Sequence, residues 1–273
     1  MLLVSACASI PNQTERTQNA THIAKMHGWI NQSIETHPFV LQAFLPSKLN
    51  KVDTLSIYLE GDGLAWIKPT IPSENPTPNN PLGLKLALLD KNAAVYLARP
   101  CQYIAENQSK NCPQKYWTSH RFSPEVIAST NQAIEQLKHK FGAKTLILIG
   151  YSGGGAVAAL VAASRSDVIK LITIAGNLDH AYWTNQRRLL PLSGSLNPAD
   201  AWHDLQSIQQ QHYVGAKDNI IDEGVVRSYA SKFKISDNLN ISVLPRFDHH
   251  CCWESIWPDL VENHFGNPTA TKP

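Results

Sequence analysis

Gly150-Tyr151-Ser152-Gly153-Gly154 sets one serine between glycines two positions to either side. The pattern follows the apolar run 145–149 directly and leads into the small-residue run 156–163. This order reads as strand, tight turn, helix. In such a turn the flanking positions leave no room for Cβ atoms, and the strained serine backbone thrusts Oγ out of the sheet. A hydroxyl presented this way attacks a carbonyl carbon once a base takes its proton. The helix behind it aims free N–H groups and the positive end of its dipole at the oxyanion that results. The plainer reading is a glycine-rich turn whose serine caps the helix. A phosphate-binding loop fits less well, because no lysine follows.

On these residues the chain resembles the α/β-hydrolase superfamily, whose catalytic residues run Ser, then acid, then His. The resemblance covers about residues 39–265. It implies an α/β fold with a mainly parallel central sheet flanked by helices and a small cap or loop insertion. It also implies a serine hydrolase that cleaves a carboxylic ester through an acyl-enzyme, with a small-molecule ester substrate and no cofactor or metal. Asp218, in Gly215-Ala-Lys-Asp218, matches the acid loop, whereas Asp222 stands where a helix should begin and reads as its N-cap. The base belongs after the last strand, where His249 and His250 are adjacent. Side chains alternate along extended chain, so one of them faces Ser152. His249 is preferred, with His250 the alternative base. The oxyanion hole needs the Gly153 N–H and a second donor from Glu60-Gly61-Asp62-Gly63, with Asp62 ranked ahead of Gly63 and Gly61. Acids replace the family's usual His and Gly there, so both carboxylates are expected to point away from the oxyanion or to support the loop. Trp66 with the proline-rich 67–81 stretch, and Trp183 with 185–200, either form an acyl pocket or pack as ordinary loop and core. A peptidase on the same fold, or a non-catalytic binding module, is the alternative function.

The elements that must position these groups are legible as patterns. Runs at 39–45, 54–59, 93–97, 145–149, 168–175, 212–214 and 241–244 read as strands. Stretches at 82–89, 124–141, 156–163, 222–233 and 253–264 read as helices, with Ser123 as N-cap and Pro124 at the first position of the second. Five prolines within 69–81 argue against regular structure there. Strands alternating with helices specify an α/β class with a mainly parallel sheet. The chain divides into a signal and tether over 1–25, one domain over 26–267 and a tail over 268–273.

The whole chain sets outer bounds. Its 273 residues carry 24 Lys+Arg and 22 Asp+Glu, for a net charge of +2 without clustering, so nucleic acid is not an expected partner. No run of 18 apolar residues exists to span a membrane. Val4-Ser-Ala-Cys7 resembles a bacterial lipobox, which implies cleavage before Cys7 and a lipid on its thiol. Only six residues precede it, so the usual charged and apolar regions of such a signal are missing. Without an Asp after Cys7 the resemblance implies the outer membrane of the cell envelope, and without a working signal a soluble protein. The segment 8–25 reads as a loose, polar tether. Of the other cysteines, Cys101 and Cys112 flank a short polar loop and are expected to pair. Cys251 and Cys252 either form a vicinal bond or stay reduced as small buried side chains.

Overall fold

A computed structural model describes residues 10–105, 111–234 and 237–265. Its strands are β1 (Trp29–Glu35), β2 (Val40–Pro46), β3 (Thr54–Leu59), β4 (Trp66–Lys68), β5 (Ile71–Pro72), β6 (Ala94–Leu97), β7 (Thr145–Tyr151), β8 (Val168–Ile174), β9 (Gln209–Gly215) and β10 (Leu239–Leu244). Its helices are α1 (Gln13–Met26), α2 (Leu82–Leu89), α3 (Pro124–Phe141), α4 (Gly153–Ala163), α5 (His180–Arg187), α6 (Trp202–Leu205), α7 (Glu223–Ala230) and α8 (Trp253–Phe265). Eight strands form one sheet in the order β1-β2-β6-β3-β7-β8-β9-β10. Strands β6 to β10 in that list run parallel, and β2 and β1 add an antiparallel edge.

The parallel strands are apolar on both sides because both sides are covered. Along β7, Leu146 and Leu148 face one core with residues of α3, α4, α6 and α7. Ile147, Ile149 and Tyr151 face the other, with residues of α1, α2 and α8. The chain winds from β3 through β6 on one side of the sheet and then through β7 to β10 on the other, so the order reverses at β3. In open parallel sheets the crevice at the carboxyl ends beside that reversal is where ligands bind. Helix α4 is built of Gly, Ala, Val and Leu and lies buried against the sheet.

The structure departs from the sequence reading in places. Residues 13–25, expected to be loose, belong to α1. Asn12 Oδ1 accepts from Glu15 N at 3.0 Å and the Glu15 carboxylate accepts from Asn12 N at 2.7 Å, a reciprocal cap. Ala20 and Ala24 are buried and Arg16 Nη2 donates to Asn75 O. Two alanines and an arginine are a weak apolar signal, which hid the helix. The proline-rich stretch does hold a short hairpin, β4–β5, with Pro72 at a strand end. Ser123 occupies the N-cap position of α3 but makes no cap hydrogen bond with its side chain. Cys7 and the 268–273 tail lie outside the described residues.

Candidate active site

Ser152 sits at the end of β7 with φ 51° and ψ −123°, a backbone state that costs a non-glycine residue energy. The surroundings hold it there: Ser152 N donates to Ile174 O, and Ser152 O accepts from Gly155 N and Asn177 N. A Cβ on Gly150 would stand 2.3 Å from Gly154 O, and one on Gly154 would stand 2.3 Å from Leu59 O. The turn can therefore close only with glycine at both ends of the pattern.

Asp218 and His249 come from the ends of β9 and β10, and these two loops are tied together. Ala216 N and Lys217 N donate to Leu244 O and Phe247 O, each at 2.9 Å. Asp218 Oδ1 accepts from Ile220 N at 2.8 Å and Ile221 N at 2.9 Å, leaving Oδ2 for His249 Nδ1 at 2.7 Å. A carboxylate only accepts, so Nδ1 carries the ring proton and Nε2 is left as an acceptor. His249 Nε2 lies 3.0 Å from Ser152 Oγ. Asp218 and His249 are both buried. His250 is exposed instead, and its Nδ1 lies 2.9 Å from the Tyr151 hydroxyl. Partial desolvation by the surrounding protein, then the neighbouring His249, lowers its pKa. Asp222 caps α7, accepting from Gly224 N at 3.0 Å.

The loop after β3 answers where its acids go. Glu60 turns inward and is fully buried; Oε1 accepts from Gly61 N at 3.0 Å and Gly83 N at 3.3 Å. Burial raises its pKa. The Gly61 N–H is thus engaged, which removes Gly61 from the expected oxyanion donors. The N–H groups of Asp62, Gly63 and Gly153 make no backbone hydrogen bond among the described residues. Gly63 has φ 65°, and a Cβ there would stand 2.0 Å from Pro76 O. The Asp62 carboxylate lies between two buried arginines, 3.2 Å from Arg99 Nη1 and 2.5 Å from Arg121 Nη1. Burial works against its charge, but Arg121 and Arg99 outweigh that and hold its pKa below the usual value.

Sequence reasoning missed Arg99, Arg121, Gln102 and Tyr151. Gln102 Nε2 donates to Gly61 O at 3.0 Å, and its Oε1 accepts from Arg99 N at 3.1 Å. Tyr151 donates to His249 O at 3.1 Å, and its ring lies tilted against the imidazole with centroids 5.4 Å apart. No spacing in the sequence marks these partners, since they lie 37 to 98 positions from the groups they hold. Cys101 and Cys112 are bonded, closing the loop between Arg99 and Arg121. Cys251 and Cys252 are bonded to each other and exposed, not buried thiols.

Of the two stretches offered as an acyl pocket, the 185–200 stretch does line a cleft, but away from the nucleophile. A 910 Å³ cleft is lined by α5 and the 188–204 stretch, but none of Ser152, Asp218 and His249 lines it. Trp66 is exposed on its hairpin, and Trp183 Nε1 donates to Ile220 O beside the acid loop. Among the described residues no cluster of His, Cys, Asp or Glu could hold a metal ion, and no helix is long and apolar enough to cross a membrane.

No protein-family model matches the chain, and no curated protein matches it. Solved structures do. An esterase from Pyrococcus furiosus is 12% identical with a TM-score of 0.57, over 86% of this chain and 88% of that one. An α/β serine hydrolase without a lid from Xanthomonas campestris is 13% identical with a TM-score of 0.55, over 88% and 97%. An acylaminoacyl peptidase from Pyrococcus horikoshii is 10% identical with a TM-score of 0.60, over 90% of this chain but 41% of that one.

Proposed function

We propose that this chain, which has the α/β-hydrolase fold, is a serine hydrolase of carboxylic esters. The observation that carries the reading is the unbroken series Ser152 Oγ, His249 Nε2, His249 Nδ1, Asp218 Oδ2, at 3.0 and 2.7 Å. In this reading His249 takes the Ser152 proton as Oγ attacks the ester carbonyl carbon. Asp218 holds the imidazole in the needed tautomer and balances the charge it gains. The N–H groups of Gly153 and of Asp62 or Gly63 donate to the tetrahedral oxyanion. The protonated His249 then gives its proton to the leaving alcohol, and the acyl-enzyme forms. Water, deprotonated by the same histidine, releases the acid and restores Ser152. These steps use side chains and backbone alone.

The test is labelling by a fluorophosphonate probe, with turnover of p-nitrophenyl esters of several acyl lengths beside aminoacyl p-nitroanilides. Wild type should label at Ser152 and cleave esters, and Ser152→Ala should lose about 10⁴-fold or more in kcat at an unchanged melting temperature. A wild-type chain that neither labels nor turns over leaves a binding module. Preference for the anilides selects the peptidase reading, which the likeness to an acylaminoacyl peptidase favours.

The lipobox-like Val4–Cys7 supports a lipid-anchored location in the cell envelope. Only residues 8–12 would join that lipid to α1, about 20 Å of extended chain, so the body would stay close to the bilayer. Mass spectrometry of the mature N-terminus decides this, and an unprocessed Met1 excludes it.

A further inference from the structure

The Asp62 carboxylate stands beside Gly153, the first residue of α4. A Cβ on Gly153 would fall 2.1 Å from Asp62 Oδ1, so the carboxylate rests against the residue that follows the nucleophile. Left alone there, a carboxylate would oppose a developing oxyanion. It is not left alone. Arg99 and Arg121 keep only 5% and 6% of their side-chain surface exposed and both bond to it. Arg121 Nε also donates to Thr118 O at 2.7 Å, and Arg99 Nη2 donates to Arg121 O. The Arg99 guanidinium lies over the Phe122 ring at 5.3 Å, and its Nε is buried without a partner. Burying two cations around one anion, with one donor unsatisfied, is a poor arrangement for stability alone. It does offset the Asp62 charge beside the place where the reaction creates a negative one.

We propose that Arg99 and Arg121, by gripping the Asp62 carboxylate, are positioning residues that aim the Asp62 backbone N–H at the oxyanion and cancel the loop's own negative charge. The proposal rests on the serine-hydrolase reading and deepens it. The two arginines flank the loop that the Cys101–Cys112 bond closes, and Gln102, inside that loop, donates to Gly61 O. The second half of the oxyanion hole is therefore held from outside its own strand, by two ion pairs and an amide. Such a grip acts on the transition state and leaves ground-state binding of the ester nearly alone.

The experiment compares wild type with Arg121→Met, Arg121→Lys, Asp62→Asn and the Asp62→Asn/Arg121→Met double variant. For each, kcat and KM on a p-nitrophenyl ester are measured, with the inhibition constant of an alkyl trifluoromethyl ketone, which forms the tetrahedral adduct. Arg121→Met and Asp62→Asn should each lower kcat by ~10–100-fold with KM within about twofold, and weaken the ketone by the same factor. The double variant should be no worse than Arg121→Met, because both act through one contact. Arg121→Lys, which keeps the charge without the fork, should recover part of the loss. Lys144→Met, an exposed ion-pair member at the amino end of β7, serves as the unaffected control. Asp62→Asn keeps the side chain's shape, so it decides the matter where Arg121→Met does not fold. A folded Asp62→Asn enzyme with kcat within about twofold of wild type, or a loss in KM alone with ketone affinity intact, overturns the proposal. Wild type inert to esters and to fluorophosphonate fails the hydrolase reading and this proposal together, whereas active wild type with unimpaired variants fails the proposal alone.

Discussion

His249 and His250 are adjacent, chemically identical side chains with different fates. His249 is buried between Asp218 and Ser152, while His250 turns outward with its ring at 87° to its neighbour's. Asp248 enforces the turn, since its Oδ1 accepts from His250 N at 2.8 Å and Cys251 N at 2.6 Å. These two backbone bonds also keep the Asp248 carboxyl below its usual pKa. His250 can therefore reach Tyr151 but not both Ser152 and an acid. In the proposed mechanism His249→Gln should cost about 10⁴-fold or more in kcat, and His250→Gln less than about tenfold. Steady-state ester hydrolysis by the two variants checks this, and a reversed ranking would reassign the base.

At the scale of elements, the loop after β3 depends on a carboxyl group kept from solvent. Glu60 holds the N–H groups of Gly61 and Gly83 together, joining the loop to the start of α2. Its pKa is raised above the ordinary 4.5 by burial, so the folded state holds this proton more tightly than the unfolded chain does. The stabilisation from that proton is fully present below pH 4.5 and is lost as the pH rises through the folded-state value. Glu60→Gln keeps the acceptor and removes the ionisation. Its melting temperature should match wild type near pH 4 and rise above it progressively toward neutrality. Thermal unfolding in a pH series gives the result, and a gap independent of pH would show that Glu60 does not titrate in the fold.

For the whole molecule, the informative group lies in the sheet itself. His212, in β9, is wholly buried between Thr173 Oγ1 at 2.8 Å and Gln210 Oε1 at 3.2 Å, under the Tyr229 ring. Burial lowers its pKa from 6.5 to about 3. The unfolded chain accepts a proton below pH 6.5 that the fold refuses until about pH 3, so stability falls with pH across that window. The slope from this one group reaches ~1.4 kcal/mol per pH unit. Urea unfolding between pH 7 and 4 should show the decline, and His212→Leu should flatten it whatever its own stability. An unchanged slope in that variant would assign the acid sensitivity elsewhere.

The strands and helices that carry Ser152, Asp218 and His249 were legible because each is a local pattern. A continuous apolar run means a strand covered on both faces, a 3.6-residue period means a helix, and glycines around one serine mean a turn too tight for side chains. The resemblance to the α/β-hydrolase order of Ser, acid and His then pointed to Asp218 and to the adjacent pair His249 and His250 after successive strands. Helix α1 was not legible, because its cap is local but the burial of Ala20, Ala24 and Arg16 depends on surfaces far along the chain. The same limit hid the Arg99 and Arg121 grip on Asp62. Sequence alone raised the problem of an acid in the oxyanion loop; only the fold brings the two cations to it, across 37 and 59 positions. Periodicity and turn chemistry act between near neighbours and can be read from residues in order. Charge compensation acts through space, and the partners it joins are set by how the loops at the carboxyl ends of the sheet close upon one another.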